Sequence, residues 1–377
     1  MSGLESHALA RRGAKLCRHG PGVYQKRMNP IPHSKPWITD ADMSAVREVL
    51  ASGMLAQGEK TRQVERVFAG WIGGAGSVAV GSGSAALALA MMALEVGPGD
   101  EIILPSYVCT SVLEAVLTVG ATPVLCDVGP DWLLTDENVD GCVTSHTKAI
   151  IVPHMYGRFA EIASFTRFGL PIIEDCAQAV DGKGKRSLRS TIAIFSLHPT
   201  KCLTSGEGGV AVSGDADLVG AMRSIRDGVE HADKGRLFSP LSDLSAALAL
   251  SQLSRFDEML DRRRALGERY RSALQHIFHD GVDCQSMYYR FPLKVPGGWE
   301  AYQEPFLKKG VHIRRGVDKL VHRFRGEADR NFKNATRLFD STVLLPIYPA
   351  MTDAEHAVCV NAAMEIFSSA GNRICRQ

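Results

Sequence analysis

The chain has 377 residues, a formal net charge of +2 and 45% hydrophobic residues. This composition is typical of a globular protein, and the balanced charge argues against a nucleic-acid-binding protein with a global basic excess. No apolar run has the ~18–20 residues that a membrane-spanning helix needs. The nine cysteines form no CxxC pair, which argues against a zinc site or a disulfide framework and favours reduced thiols in the cytosol.

The first 28 residues differ from the rest of the chain. They are basic, contain one acidic residue and lack the apolar segment of a secretory signal peptide, so we expect a disordered extension over 1–28. Regular patterning begins with apolar residues at helical spacing over 41–50, after Asp40 as the candidate N-cap. A second helix is predicted over 60–69.

Short apolar runs then alternate with helical segments. Candidate strands lie at 77–80, 101–104, 122–128, 149–152, 171–174, 191–195 and 209–213. Candidate helices between them lie at 84–94, 110–119 and 159–168. This alternation predicts a mostly parallel sheet with right-handed crossovers, its strands buried on both faces, in a unit that ends near residue 215.

The C-terminal part of the chain has a different pattern. Residues 244–275 predict a long helical stretch, and its arginine triplet Arg262-Arg263-Arg264 is expected on a solvated face or in a subunit contact. The remainder, from about residue 285 to 377, mixes short strands and helices and predicts a smaller α+β domain.

One glycine- and serine-containing turn could bind a phosphate group. Ser82-Gly83-Ser84 follows a predicted strand and opens a helix, where backbone N–H groups and the helix dipole favour an anion; a simple capped turn is the alternative. The chain has neither a G-x-G-x-x-G dinucleotide fingerprint after a strand nor a P-loop sequence. A nicotinamide-dependent dehydrogenase and a P-loop nucleotidase are therefore not supported.

Two further segments carry chemically useful side chains. Asp175 follows an apolar strand, where its carboxylate could hold a protonated ring nitrogen or cap the next helix. Lys201 lies in a loop after Ser196 and before Gly206-Glu207-Gly208-Gly209, and a desolvated lysine there could form an imine. An anion site, a carboxylate and an imine-forming lysine are the groups that pyridoxal phosphate (PLP) requires.

With these segments the chain resembles the DegT/DnrJ/EryC1/StrS family of PLP-dependent sugar aminotransferases, over about residues 30–365. The resemblance rests on the segments at 52–58, 81–87, 99–105, 120–124, 156–157, 174–178, 196–209, 246–253 and 345–352. It implies the α/β architecture of PLP-dependent transferases of fold type I. We expect a large, mostly parallel seven-stranded sheet domain over 29–245, and a connecting helix with a smaller α+β domain over 246–377.

The resemblance also implies roles for individual residues. Lys201 is expected to be the Schiff-base lysine and proton shuttle, Asp175 the partner of the pyridine nitrogen, and Gln178 the contact of the cofactor's 3-hydroxyl. The remaining cofactor-binding positions implied are Ser82, Gly83, Ser84, Ala177 and Ser196.

Two positions depart from the family pattern. Cys109 stands in the register of the aromatic residue that usually covers the PLP ring, so either Cys109 packs on the ring or Tyr107 occupies that place after a local shift. Phe238 stands in the register of an asparagine that usually serves the neighbouring subunit's phosphate, and Arg236 is a candidate substitute.

By resemblance, the predicted reaction moves an amino group from an amino acid, L-glutamate, to a nucleotide-linked keto sugar, with pyridoxamine phosphate (PMP) as the intermediate cofactor form. A lysine at position 201, where family members that dehydrate sugars carry histidine, favours transamination. The resemblance also implies a homodimer with the active site at the subunit interface. From the composition and the cysteine pattern we expect a cytoplasmic protein without a metal, a nucleic acid or a membrane as partner. The alternatives are an aminocyclitol precursor as acceptor, another PLP reaction on a sugar, and a catalytically idle PLP-fold regulator.

Overall fold

The computed structural model describes residues 30–181, 187–228, 236–277 and 286–374, with side chains up to residue 369. The extension expected over 1–28 lies outside the described residues. The strands are β1 Gly76–Val80, β2 Glu101–Pro105, β3 Thr122–Cys126, β4 Thr147–Pro153, β5 Ile172–Asp175, β6 Ile192–Ser196, β7 Gly209–Ser213, β8 Phe291–Lys294, β9 Arg314–Arg315 and β10 Thr342–Leu345. The helices are α1 Asp40–Ser52, α2 Glu59–Ile72, α3 Gly83–Ala93, α4 Thr110–Thr118, α5 Asp136–Val139, α6 Ala216–Asp227, α7 Asp243–Ser254, α8 Phe256–Leu274, α9 Gly298–Lys308, α10 Val321–Phe324, α11 Lys333–Ser341 and α12 Asp353–Ile374.

The larger sheet has seven strands in the order β1-β7-β6-β5-β4-β2-β3. All neighbouring pairs are parallel except those of β7, which runs antiparallel to β1 and to β6. The seven strands predicted from apolar runs are thus confirmed, with ends shifted by up to two residues. Their apolar side chains are buried because helices cover the sheet: α3, for example, packs on β6 and β7.

Three local predictions differ from the structure. The N-cap of α1 is Thr39 rather than Asp40, because the Asp42 carboxylate accepts hydrogen bonds from the Thr39 backbone N–H at 2.8 Å and from its hydroxyl at 3.1 Å. The helix predicted over 159–168 is a 3₁₀ helix, Ile162–Phe168. The long helical stretch over 244–275 is two helices, α7 and α8, which meet at Arg255.

The smaller sheet is antiparallel, in the order β8-β10-β9. Its apolar core includes residues of α8, α9 and α12, which agrees with a second α+β unit. The division after residue 245 stays a prediction. The expectation for the arginine triplet was wrong at its centre, because Arg263 is buried and donates to the backbone carbonyls of Tyr288, Tyr289 and Ile347.

No helix within the described ranges combines the length and the apolar character needed to cross a membrane.

Candidate functional site

The candidate site lies at the carboxyl edge of the larger sheet. Asp175 is the last residue of β5 and Ser196 is the last residue of β6. Because β5 and β6 are parallel neighbours, both side chains come to the same edge, where ligands bind in open α/β sheets. Helix α3 begins at this edge, three residues after the end of β1.

Two glycines allow the start of α3 to lie directly against β6 and β7. A Cβ atom at residue 83 would lie 2.8 Å from the Cβ of Ser196, and one at residue 209 would lie 2.2 Å from the carbonyl oxygen of Ser82. Neither position has room for a side chain. Ser82, Gly83 and Ser196 are therefore brought together at the amino end of a helix, where backbone N–H groups can bind an anion.

The serine hydroxyls of this turn have different surroundings. Ser82 is the N-cap of α3, and its hydroxyl oxygen accepts the Ala85 N–H at 3.1 Å. Ser84 is exposed on the first turn of α3, and Ser196 is half-buried. The turn thus fits both interpretations made from the sequence. It caps the start of a helix, and it also has the N–H and hydroxyl donors that an anion site needs.

Asp175 is a buried carboxylate with few groups that stabilise its negative charge. Its Oδ1 accepts the Ala177 N–H at 2.9 Å, and it forms no ion pair within salt-bridge distance among the described residues. Burial raises the pKa of Asp175, although the Ala177 N–H and the positive charge of Lys201 oppose that rise. A cationic group placed against this carboxylate would favour its ionised form.

The neighbouring residue, Glu174, serves a different purpose. Successive side chains of a strand point to opposite faces, so Glu174 lies on the face opposite Asp175. His154 accepts the Ala160 N–H at Nδ1 (3.0 Å), so its Nε2 carries the proton and donates to Glu174 at 2.7 Å. Glu174 also accepts from the Ser190 hydroxyl at 2.8 Å. His154 and Glu174 are therefore partners of each other on the sheet's other face.

Lys201 lies in the loop between β6 and β7. The base of this loop is closed because Leu197 donates its N–H to Gly208 at 2.8 Å and accepts the Ser205 N–H at 2.9 Å. Within the loop, the Lys201 N–H donates to the His198 carbonyl at 2.9 Å. The loop thus begins at the end of β6, one strand away from Asp175, and it holds the half-buried Lys201 near enough to affect the Asp175 pKa.

Gln178 and Tyr107 belong to one hydrogen-bonded chain. The Gln178 Oε1 accepts the Tyr156 N–H at 3.2 Å, so its amide nitrogen is the end that can donate to a ligand. The Tyr156 hydroxyl lies 3.0 Å from the hydroxyl of Tyr107. Tyr107 is fully buried, and burial raises its pKa to about 12.

The two positions that depart from the family pattern are both exposed. Cys109 is the N-cap residue of α4, and its Sγ accepts from the Ser111 hydroxyl at 3.2 Å. Phe238 is 73% exposed, and the guanidinium carbon of Arg236 lies 4.7 Å from its ring centroid. Of the two candidates for the ring-covering position, Cys109 is exposed, whereas Tyr107 is enclosed in the core.

Two residues of the smaller unit, Tyr289 and Arg290, lie close to Lys201 and were not predicted from the sequence. The Nζ of Lys201 lies 5.6 Å from the ring centroid of Tyr289. Arg290 donates from Nη2 to the Thr200 carbonyl at 3.1 Å, next to Lys201. These residues precede β8, far along the chain from the loop. A buried Tyr-Arg pair has no spacing signature that would connect it to Lys201.

Comparisons with known proteins agree with this geometry. The model of the DegT/DnrJ/EryC1/StrS aminotransferase family matches residues 36–364. The crystal structure of DesV from S. venezuelae, in complex with a ketimine intermediate, is similar to this chain at 28% identity and a TM-score of 0.79, over 86% of this chain and 94% of its own. The aminotransferase TlmJ from Streptoalloteichus hindustanus is 28% identical with a TM-score of 0.82, over 90% of this chain and 100% of its own.

A third similar structure shows the fold alone. The putative sugar aminotransferase from Streptococcus pneumoniae, in its apo form, is 24% identical with a TM-score of 0.83 over 92% of this chain and 100% of its own. That protein has also been solved in PLP and PMP forms. The family match spans most of the chain, and it confirms the resemblance found from the motifs. The chain belongs to the DegT/DnrJ/EryC1/StrS aminotransferase family and is a PLP-dependent aminotransferase.

Proposed function

We propose that this aminotransferase moves the amino group of L-glutamate to a nucleotide-linked keto sugar, in amino-sugar biosynthesis in the cytoplasm. The observation that carries the proposal is the meeting of Asp175, Lys201 and the start of α3 at one edge of the sheet. The sugar class is supported by the resemblance of the chain's motifs to the DegT/DnrJ/EryC1/StrS family of sugar aminotransferases.

The described residues fit PLP. Asp175 is a buried carboxylate without a cationic partner at salt-bridge distance among the described residues, as a site for a protonated ring nitrogen requires. The glycine-lined start of α3 offers N–H donors for a phosphate. Lys201 lies in the loop after the neighbouring strand. We therefore assign the ring nitrogen to Asp175, the phosphate to the turn, and the covalent anchor to Lys201.

The remaining contacts follow from which groups can donate. Gln178 would donate from its amide nitrogen to the 3-hydroxyl, because its oxygen already accepts from Tyr156. Ser82, Gly83, Ser84 and Ser196 would hold the phosphate, and the Ala177 backbone would keep the Asp175 carboxylate oriented. Cys109, which is exposed, is preferred over the enclosed Tyr107 for packing on the ring.

In the reaction, the bound cofactor supplies an electron sink for negative charge at the substrate carbon. Asp175 keeps the ring nitrogen protonated, which maintains that sink. The Lys201 amine would take the proton from the amino donor's carbon and pass it to the cofactor's carbon. In the second half of the reaction it would carry a proton the opposite way, to the acceptor's carbon. The buried surroundings of Asp175 strengthen its interaction with the cofactor by excluding water.

A homodimer is part of the proposal. Met54 is 74% exposed and Phe238 is 73% exposed, which is unusual for large apolar side chains. Phe238 lies near the phosphate site, because Ser239 accepts the Gly81 N–H at 2.8 Å. Met54 lies near the same segment of the chain, because Asp243 donates its N–H to Leu55 at 3.1 Å. A second copy that covered these side chains would also complete the site from its open side.

The first half of the reaction provides the test. The PLP-loaded chain is mixed with L-glutamate without an acceptor, and 2-oxoglutarate and PMP are quantified. We expect both in amounts equal to the active sites, and we expect Lys201→Ala to lower the rate by at least about 10²–10⁴-fold, the usual contribution of a positioned proton-transfer group. Borohydride reduction and mass spectrometry should place PLP on Lys201 in the wild-type chain.

Other outcomes would replace the proposal. Covalent PLP without 2-oxoglutarate would favour a different donor or another PLP reaction. PLP retained elsewhere, with transamination intact in Lys201→Ala, would contradict the role of Lys201. The acceptor is then sought by supplying nucleotide-linked keto sugars and keto cyclitols to the PMP form, with transfer to the cyclitols alone contradicting the sugar assignment.

A further inference from the structure

Two buried arginines, Arg263 and Arg290, contact Tyr289, and neither has a carboxylate partner among the described residues. Arg263 is 3% exposed and Arg290 is 7% exposed, and neither forms an ion pair with an acidic residue in the described ranges. Arg263 has only backbone carbonyls as partners of its Nη1. Among the described residues, the buried Nε of Arg263 and Nη1 of Arg290 have no hydrogen-bond partner. Buried positive charge of this kind is costly unless a negative charge lies nearby.

Tyr289 is an ionisable residue that lies between Arg290 and Lys201. Arg290 donates from Nη2 to the Tyr289 hydroxyl at 3.1 Å, and its guanidinium carbon lies 4.2 Å from the ring centroid. On the other side, the Lys201 Nζ lies 5.6 Å from the same centroid. Tyr289 is 4% exposed, so solvent weakens neither interaction.

The pKa of Tyr289 depends on opposing effects of burial and of the charged groups around it. Burial acts to raise the pKa of Tyr289, and the Cys202 thiol adds to that rise, whereas Arg290, Lys201 and Arg263 act to lower it. The positive groups prevail, and the pKa of Tyr289 lies below its usual value. Tyr156, which also interacts with Tyr289, has its pKa raised by burial and by Tyr107. His33, near Arg290, is kept uncharged because burial lowers its pKa.

We propose that Tyr289 works as a phenolate that supplies the missing negative charge between Arg290 and Lys201. The phenol loses its proton to solvent, the Arg290 contact becomes a charge-assisted hydrogen bond, and the electron-rich ring faces the Lys201 ammonium. Tyr289 is thereby a positioning residue: it acts through Lys201, by favouring the protonated amine. Its catalytic meaning rests on the function proposed above for Lys201, whereas its ionisation does not.

This arrangement would matter for the direction of proton transfer. Lys201 must hold the proton that it takes from the substrate carbon until it passes that proton to the cofactor's carbon. Arg263 and Arg290 add buried positive charge around Tyr289. A phenolate beside the amine offsets this charge and keeps the proton on Lys201 until it is transferred.

Ultraviolet titration of tyrosinate tests the ionisation directly. The full chain, freed of cofactor, is titrated as wild type, Tyr289→Phe and Arg290→Gln. The control is Tyr302→Phe, because burial raises the pKa of Tyr302. We expect one tyrosine of the wild type to ionise below the usual value of about 10. This step should be absent in Tyr289→Phe, move to higher pH in Arg290→Gln and persist in Tyr302→Phe.

A second readout reports on Lys201 itself. The rate at which an amine reagent labels Lys201 in the cofactor-free chain is followed by peptide mass spectrometry. Tyr289→Phe removes the negative charge that faces the Lys201 amine, so its labelling at neutral pH should be several-fold faster than in the wild type. A merely structural role of the hydroxyl would leave the labelling rate of Lys201 unchanged.

The outcomes are separable from those of the proposed function. A wild-type chain without the low-pH tyrosinate step, or a Tyr289→Phe variant that retains it, overturns the inference. If Tyr289→Phe does not fold, Arg290→Gln still decides, because an unchanged titration in that variant contradicts the pair. If tyrosinate forms but PLP is not anchored on Lys201, the ionisation stands and the catalytic meaning is lost.

Discussion

At the scale of single residues, the site places Asp175 in surroundings that are unfavourable for the protein without its cofactor. Burial raises the pKa of this carboxyl, and Ala177 is its hydrogen-bond donor. A group whose pKa is raised on folding stabilises the fold at low pH, and this contribution is lost as the pH rises through the folded-state value. At neutral pH the ionised carboxylate therefore lowers stability, and function requires it there.

The variant Asp175→Asn should separate these two effects. The neutral amide keeps an oxygen for the Ala177 N–H, so the cofactor-free variant should melt at a higher temperature than wild type at neutral pH. The difference should shrink as the pH falls and Asp175 becomes protonated. Transamination should decrease on the order of 10²–10³-fold, because the charge that supports the electron sink is lost.

The control for this prediction is Asp318→Asn, which changes an exposed carboxylate and should affect neither melting nor turnover. Equal melting temperatures and equal single-turnover rates of wild type and Asp175→Asn would refute the assigned role of Asp175.

At the scale of elements, helix α2 depends on a carboxylate from a distant part of the chain. Its N-cap, Gly58, has no side chain to accept the first N–H groups. The Asp243 carboxylate accepts the N–H groups of Gly58 at 2.8 Å, Lys60 at 3.1 Å and Thr61 at 2.9 Å. A Cβ at residue 58 would lie 2.7 Å from Oδ2 of Asp243. Glycine is therefore required for the carboxylate to come this close.

The variant Asp243→Ala should lower the free energy of unfolding by about 2–3 kcal/mol, because buried N–H groups lose charge-assisted hydrogen bonds. Denaturant unfolding at constant pH measures this change. The control Asp257→Ala removes an acidic residue from the first turn of α8, where it is exposed, and should cost only about 0.5 kcal/mol. Equal losses in the two variants would contradict capping of α2 by Asp243.

At the scale of the whole molecule, the site is formed where the two sheets' units meet. Arg290, which precedes β8, donates to the Thr200 carbonyl beside Lys201. The hydroxyl oxygen of Ser106, which follows β2, lies 2.5 Å from Nδ1 of His322 in α10. The smaller unit thus contacts the loops that follow β2 and β6. A change in its position would be transmitted to the site through these two contacts.

The proposed dimer is tested at the exposed apolar side chains. Phe238→Glu introduces a charge that would be buried in the interface, so we expect the molecular mass in solution to fall from that of a dimer to that of a monomer. PLP affinity should fall with it if the second subunit completes the site. Light scattering and sedimentation measure the mass, and Leu307→Glu, at a side chain 47% exposed on α9, is the matched control. A monomeric wild type would contradict the proposal.

Much of the fold followed from local patterns. The apolar runs predicted all seven strands of the larger sheet, because strands buried on both faces need apolar side chains throughout. These patterns could not predict that β7 is antiparallel to its neighbours, because a buried antiparallel strand has the same composition as a buried parallel one. The N-cap at Thr39 and the break at Arg255 were missed because they depend on contacts, such as the Asp42 bonds, rather than on periodicity.

The sequence by itself determined the family and the chemical groups available, because Lys201, Asp175 and the Ser82-Gly83-Ser84 turn each lie at or after the end of a predicted strand. Only the tertiary structure decided what surrounds them. It enclosed Tyr107, left Cys109 exposed, and placed Tyr289 and Arg290 against Lys201. The physical reason is that burial and charge depend on residues distant in the chain, which local patterns do not relate to one another.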